Sequence, residues 1–143
     1  MNPSALTYAL LALVLWGVSP LFDKLGLARV TPLAGLTVRL LAAGVMGAVL
    51  ATLAGTWREL AAAPRPALAW FLGSALFGAV LGQLAYYAAQ RQEDVTRVLP
   101  IAAAYPLISA ALAVLLLREG LTVPKIAGAA LIVAGIVLIK VWG

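Results

Sequence analysis

Five long apolar runs, each closed by a short polar stretch, set the pattern of this chain. They fall at about residues 5–22, 33–53, 66–89, 96–117 and 124–142. Each is close to the roughly 20 apolar residues a helix needs to cross the hydrocarbon core of a bilayer. Asp23-Lys24 and Arg29-Val30-Thr31-Pro32 divide the first two runs. Thr56-Trp57-Arg58-Glu59 and Pro64-Arg65-Pro66 divide the next two. Gln90-Arg91-Gln92-Glu93-Asp94 is the most polar stretch, and Arg118-Glu119-Gly120 with Pro124-Lys125 brackets the last connection. Pro32, Pro66 and Pro124 stand at predicted helix starts, where a missing N–H is harmless. Trp57, Trp70 and Trp142 lie near run ends, as interfacial aromatics do. The connections are too short for a water-soluble domain. The pattern predicts one all-α integral membrane domain over residues 1–143, with about five transmembrane helices that satisfy their own backbone hydrogen bonds in lipid.

Composition points the same way. The chain is 64% hydrophobic and 10% charged, against about 45–50% and about 25% in soluble domains. Its mean hydropathy is +1.07. The net charge of +5 comes from single Lys and Arg residues between apolar runs. They read as anchors beside anionic headgroups or as ordinary loop charges, not as a nucleic-acid surface. No Cys and no His is present, and none of the five acidic residues is central in a run. That argues against thiol or imidazole chemistry, a metal centre or cofactor, and carboxylate-pair hydrolysis. No enzyme is expected. The opening Met-Asn-Pro-Ser has no positive side chain, so the first run is expected to be a retained helix rather than a cleaved signal.

Polar residues inside the runs are the candidates for function. On the first helix Trp16, Ser19, Pro20 and Asp23 share one face by spacing. They form either a cavity wall with a Pro hinge or an interfacial helix end with a tolerated Pro. On the third, Gln83, Tyr86, Tyr87 and Gln90 repeat that spacing. Two amides and two phenols can hold a polar or aromatic solute, or tie helices together. Ser74, Gly78 and Gly82 on the same helix suit close packing. On the fourth, Pro100 and Pro106 interrupt the backbone ladder beside Tyr105 and Ser109. Broken helices of this kind line transporter sites, and equally serve as kinked structural helices. Arg39 is the one charge clearly within a run, with Asp23 on the same side as its candidate partner. An intramembrane charge points to function, although Arg also snorkels. Gly128 and Gly135 mark the fifth helix as a packing or dimerisation element.

These residues resemble an EamA-type domain of the drug/metabolite transporter superfamily. The matching pieces are Leu15-Trp16-Gly17, Lys24, Pro32 and Arg39-Leu40-Leu41-Ala42-Ala43. Further on they are Ala104-Tyr105-Pro106-Leu107-Ile108-Ser109-Ala110, Arg118-Glu119-Gly120-Leu121-Thr122, Lys125-Ile126-Ala127-Gly128 and Gly135. The resemblance implies one half-repeat of a ten-helix inverted-repeat transporter, a short member that dimerises to carry a small metabolite. It implies a cavity lined mainly by the first four helices. The related small multidrug resistance proteins carry a membrane-embedded Glu in the first helix, and this first helix has none. Facilitated exchange or efflux is therefore expected rather than carboxylate-based proton coupling.

An odd number of spans puts the termini on opposite sides. Arg58, Arg65, Arg118 and Lys125 then lie on one side, and Lys24, Arg29, Arg91, Arg97 and Lys140 on the other. Four against five is almost no bias, and this bias sets orientation. Dual insertion into an antiparallel homodimer is the expectation. The chain is expected in a prokaryotic inner or plasma membrane, with lipid, a small solute and a second copy as partners. The solute would meet Trp16, Ser19, Gln83, Tyr86, Tyr87, Gln90, Tyr105 and Ser109, with Pro20, Asp23, Arg39, Pro100 and Pro106 as hinge or gating residues. Two other readings stay open: flipping of a lipid-linked substrate by a basic headgroup site such as Arg39 with Arg97, and a non-transporting accessory subunit.

Overall fold

The computed structural model describes residues 2–120 and 122–142, and every regular element among them is helical. Five spans are long and apolar enough to cross a membrane: Pro3–Leu27, Pro32–Ala54, Arg65–Gln92, Val95–Leu117 and Val123–Trp142. Helix α1 (Pro3–Leu27) starts on Asn2, whose side chain accepts from the Ser4 N–H. Helix α2 (Pro32–Ala54) starts on Thr31, whose hydroxyl accepts from the Ala34 N–H. Each cap satisfies an N–H that the first turn leaves free, and Pro follows it at the position where its fixed φ suits a helix start. Gly55 ends α2 in the left-handed region at φ 68°, the conformation that favours glycine.

Three features depart from the expected pattern. First, α1 runs on to Leu27, so Asp23 and Lys24 lie inside its last turns rather than in a connection. Likewise Gln90, Arg91 and Gln92 are helical. Side-chain partners on neighbouring helices allow these polar groups to stay in register. Second, the connection after α2 holds a short helix, α3 (Trp57–Ala62).

Third, two spans are interrupted. The third comprises α4 (Arg65–Ser74), a π-helical segment (Ala75–Gly82) and α5 (Gln83–Gln92). No Pro lies in the π segment. A Cβ on Gly82 would stand 2.8 Å from the Phe77 carbonyl oxygen, five residues back, so the wide turn depends on glycine there. The fourth span is α6 (Val95–Ala102), a turn at Ala103-Ala104, and α7 (Tyr105–Leu117). Pro100 lies inside α6, whereas Pro106 falls in the first turn of α7. Pro106 therefore starts a new helix instead of kinking a continuous one. Arg118 then caps α7 at φ 56°, with the Glu119 N–H bonded to the Ala113 carbonyl. The last helix is α8 (Val123–Trp142).

The chain divides into two compact units, Met1–Gln92 and Glu93–Gly143. In the first, the buried residues are Pro20 and Leu27 of α1, Leu36 of α2, and Tyr87 and Gln90 of α5. All lie where the C-terminal ends of α1 and α5 meet the N-terminal end of α2. Gly35 lets the helices approach there: a Cβ on it would lie 3.4 Å from Leu27 Cδ2 and 3.6 Å from Tyr87 Cε2. In the second unit Val98 of α6 is buried, and α6 packs on α8.

Candidate functional site

The apolar end of α1 carries one carboxylate, the start of α2 one guanidinium, and the polar stripe of α5 faces both. Arg39 Nη1 lies 3.0 Å from Asp23 Oδ2 and 3.2 Å from Oδ1. The same nitrogen donates to Tyr87 Oη at 3.3 Å, and Tyr87 Oη donates to Asp23 Oδ1 at 2.6 Å. Carboxylate, guanidinium and phenol thus close a triangle across three helices. Asp23 is mostly enclosed, with 12% of its side chain accessible, while 42% of the Arg39 side chain is uncovered by protein. The carboxylate is the seated member of the pair and the guanidinium the open one.

One turn along α5, Gln90 forms the second part of the junction. It is fully buried, and its Nε2 donates to the Pro20 carbonyl at 3.3 Å and to Tyr86 Oη at 3.0 Å. Its own backbone carbonyl accepts from Lys24 Nζ. Gln90 Oε1 is buried without a hydrogen-bond partner. Tyr86 and Tyr87 stack obliquely, with ring centroids 6.5 Å apart. Arg91 Nη1 reaches the Val30 carbonyl at 3.4 Å, closing the same end from outside. An unpaired polar group in lipid is costly, so each of these bonds holds its helices in register.

The expected site residues divide by place. Pro20, Asp23, Arg39, Tyr86, Tyr87 and Gln90 come together in this junction. Ser19 and Gln83 are half-buried on the same helices, and Trp16 is exposed farther along α1. In the second unit Tyr105, Pro106 and Ser109 are exposed on α7, and Pro100 is half-buried in α6. On α8 Gly128 is exposed and Gly135 half-buried, with nothing within 4 Å of a Cβ added at either. Leu121 of the Arg118–Thr122 stretch lies outside the described residues. A groove of about 220 Å³ in the second unit is lined by Glu93, Arg97, Val98, Ile101, Ile139 and Lys140, with Arg97 and Glu93 paired at 3.7 Å.

Sequence reasoning paired Asp23 with Arg39 but missed three contributors. Lys24 reads as a connection charge and a family-motif residue but not as a partner of α5, and Gly35 and the Leu27–Leu36 contact carried no signal in one apolar background. The clue to Lys24 was a cation one residue after Asp23, inside the reach of α5.

Five spans long and apolar enough to cross a membrane, two of them interrupted, and an ion pair between the first two describe a multi-pass membrane protein. The EamA-like transporter family matches residues 3–141. The chain belongs to that family. It is an all-α, multi-pass membrane protein of the drug/metabolite transporter superfamily, and its five helices correspond to one EamA half-repeat. No curated protein and no solved structure matches it. Of Trp16, Lys24 and Arg39, which carry the resemblance in the sequence, Lys24 and Arg39 are in the junction.

Proposed function

We propose that this EamA chain is a single transmembrane domain that carries small, amino-acid-like or other polar or aromatic metabolites by alternating access, working as a homodimer in a prokaryotic cell membrane. The observation that carries the reading is the Asp23–Arg39–Tyr87 triangle, a charged junction held among spans that are otherwise apolar. Charges within a membrane span are expensive to keep, and they mark substrate paths and gates. Tyr86, Tyr87 and Gln90 form the polar wall of the first unit, with Ser19, Gln83 and Trp16 farther from the junction. Tyr105 and Ser109 on α7 are proposed as solute contacts in their own right. Pro20, Pro100 and Pro106 are the proposed flexing points: Pro20 and Pro100 each remove a backbone N–H from inside a helix, and Pro106 opens α7 after the turn that interrupts the fourth span.

Two antiparallel copies would generate the inverted repeat that alternating access uses. The nearly even split of Lys and Arg between the two sides supports this arrangement. Gly128, exposed, and Gly135, half-buried, on α8 are the proposed contact. A reporter fused to the C-terminus is expected on both sides of the membrane; a single location overturns dual insertion.

The transport reading is tested by exchange of labelled amino acids, organic acids, sugars and nucleotides into proteoliposomes preloaded with the same compounds. Counterflow of at least one class, reduced more than tenfold in Arg39→Gln at equal protein level, is expected. Absence of counterflow for every class, from protein that melts cooperatively, overturns it and favours an accessory role.

A further inference from the structure

The Asp23–Arg39–Tyr87 triangle uses only one nitrogen of the guanidinium. Every bond of Arg39 to Asp23 and Tyr87 is made by Nη1. Nε and Nη2, the two donors along the opposite edge, find no acceptor among the described residues. That edge is the one that meets both oxygens of a planar oxyanion in parallel hydrogen bonds. Arg39 is also the more open member of the pair, with 42% of its side chain uncovered against 12% for Asp23. A guanidinium fixed on one side and unsatisfied on the other is a preorganised half-site, because its orientation has been set before the ligand arrives.

Charge at this end of the first unit favours an anion. Lys24, Arg29, Arg39 and Arg91 lie in or next to the helix ends that meet there, and Asp23 is the carboxylate of the first unit among them. The excess is positive even after Asp23 and Arg39 neutralise each other. A monoanion fits better than a dianion, because the Asp23 oxygens lie 3.0 Å and 3.2 Å from Nη1 and repel each further negative charge brought to the guanidinium. Tyr86 beside it is half-buried and offers the edge of an aromatic ring to an apolar body.

Resting on the transport reading, we infer that the free Nε–Nη2 edge of Arg39 binds the carboxylate of the transported metabolite, so that the substrate class is the monocarboxylates, amino acids included. Asp23 and Tyr87 are positioning residues. They hold Nη1 and leave the Nε–Nη2 edge without an acceptor among the described residues.

The test uses the full chain in detergent and matched soluble pairs: benzoate and benzamide, L-phenylalanine and its amide, L-leucine and its amide. Inorganic phosphate and short-chain phosphatidylglycerol form separate arms. Ligand binding to the folded state raises the melting temperature. At least one acid is expected to stabilise the protein at a concentration ten times lower than its amide. Arg39→Lys keeps a cation for Asp23 but has no planar edge, and is expected to weaken acid binding at least tenfold while leaving the ligand-free melting temperature within a few degrees. The inference is overturned if amides match their acids, if Arg39→Lys binds acids unchanged, if no acid stabilises, or if only the phosphate or lipid arm responds. Counterflow of a neutral solute in proteoliposomes would then leave the transport reading standing without it.

Discussion

At one end of the first unit Pro20, Leu27, Leu36, Tyr87 and Gln90 are buried, and side chains bond across α1, α2 and α5. Toward the other end, along residues 3–19, 40–54 and 65–82, no residue is buried, and no side-chain hydrogen bond joins the spans among the described residues. Both ends are rich in Leu, Val and Ala. The difference is polar. Lipid tails are as apolar as leucine, so apolar side chains alone give helices little reason to prefer each other over the bilayer. A carboxylate, a guanidinium, a phenol and an amide have no such indifference, and they decide where the three helices are joined.

Substitutions at the two ends should therefore behave differently. The largest effect is expected from Asp23→Ala, which leaves the Arg39 guanidinium without its carboxylate. The loss is about 2–3 kcal/mol, the scale of a hydrogen-bonded charge stripped of its partner. Denaturant titration of the detergent-solubilised protein measures it. Adding Arg39→Ala to Asp23→Ala should cost less than the separate effects combined, since the two residues share one interaction. Strict additivity would show that the pair is not coupled.

Gly82→Ala comes next, at about 1–3 kcal/mol, the usual range for a forced overpacking. Its Cβ would collide with the Phe77 carbonyl, and relief requires the π segment to tighten. Removing one residue from the winding turns everything after it by about 100°. Tyr87 and Gln90 would then face away from α1 and α2. A loss of counterflow in parallel with the stability change is expected, whereas Gly78→Ala, with open space around its Cβ, should be tolerated.

Tyr87→Phe should cost about 1 kcal/mol, because it loses the bonds to Asp23 and Arg39 but keeps the ring against Leu27 and Leu36. The smallest effect is expected at the far end. Leu13→Ala, at an exposed α1 position, should stay within about 0.5 kcal/mol. A larger effect there would mean that a protein surface, not lipid, covers that stretch, and would redraw the comparison.

The two interrupted spans were legible to different degrees. Pro100 and Pro106 announced a break in the fourth, because proline removes a donor wherever it stands. The π segment of the third left no such mark. Ser74, Gly78 and Gly82 read as small residues for close packing, yet Gly82 is needed by its own helix for the wide turn. That requirement arises between residues five apart in one backbone and has no signature in side-chain type.

The polar stripe of α5 shows the same division. Spacing alone put Gln83, Tyr86, Tyr87 and Gln90 on one face and suggested Asp23 for Arg39. It left open whether the stripe met solute or helix. In the structure Gln90 and Tyr87 turn inward to α1 and α2, while the Nε–Nη2 edge of Arg39 is left open. What the chain determined by itself was its solvent and its elements: runs of about 20 apolar residues have to be helices in lipid. Polar residues too costly to leave unpaired within them marked the candidate site. Which nitrogen pairs with which oxygen, where the third span is underwound, and which end of the first unit is joined were decided only by tertiary structure. Apolar faces look alike to lipid and to protein, and only three-dimensional proximity distinguishes a bonded donor from a free one.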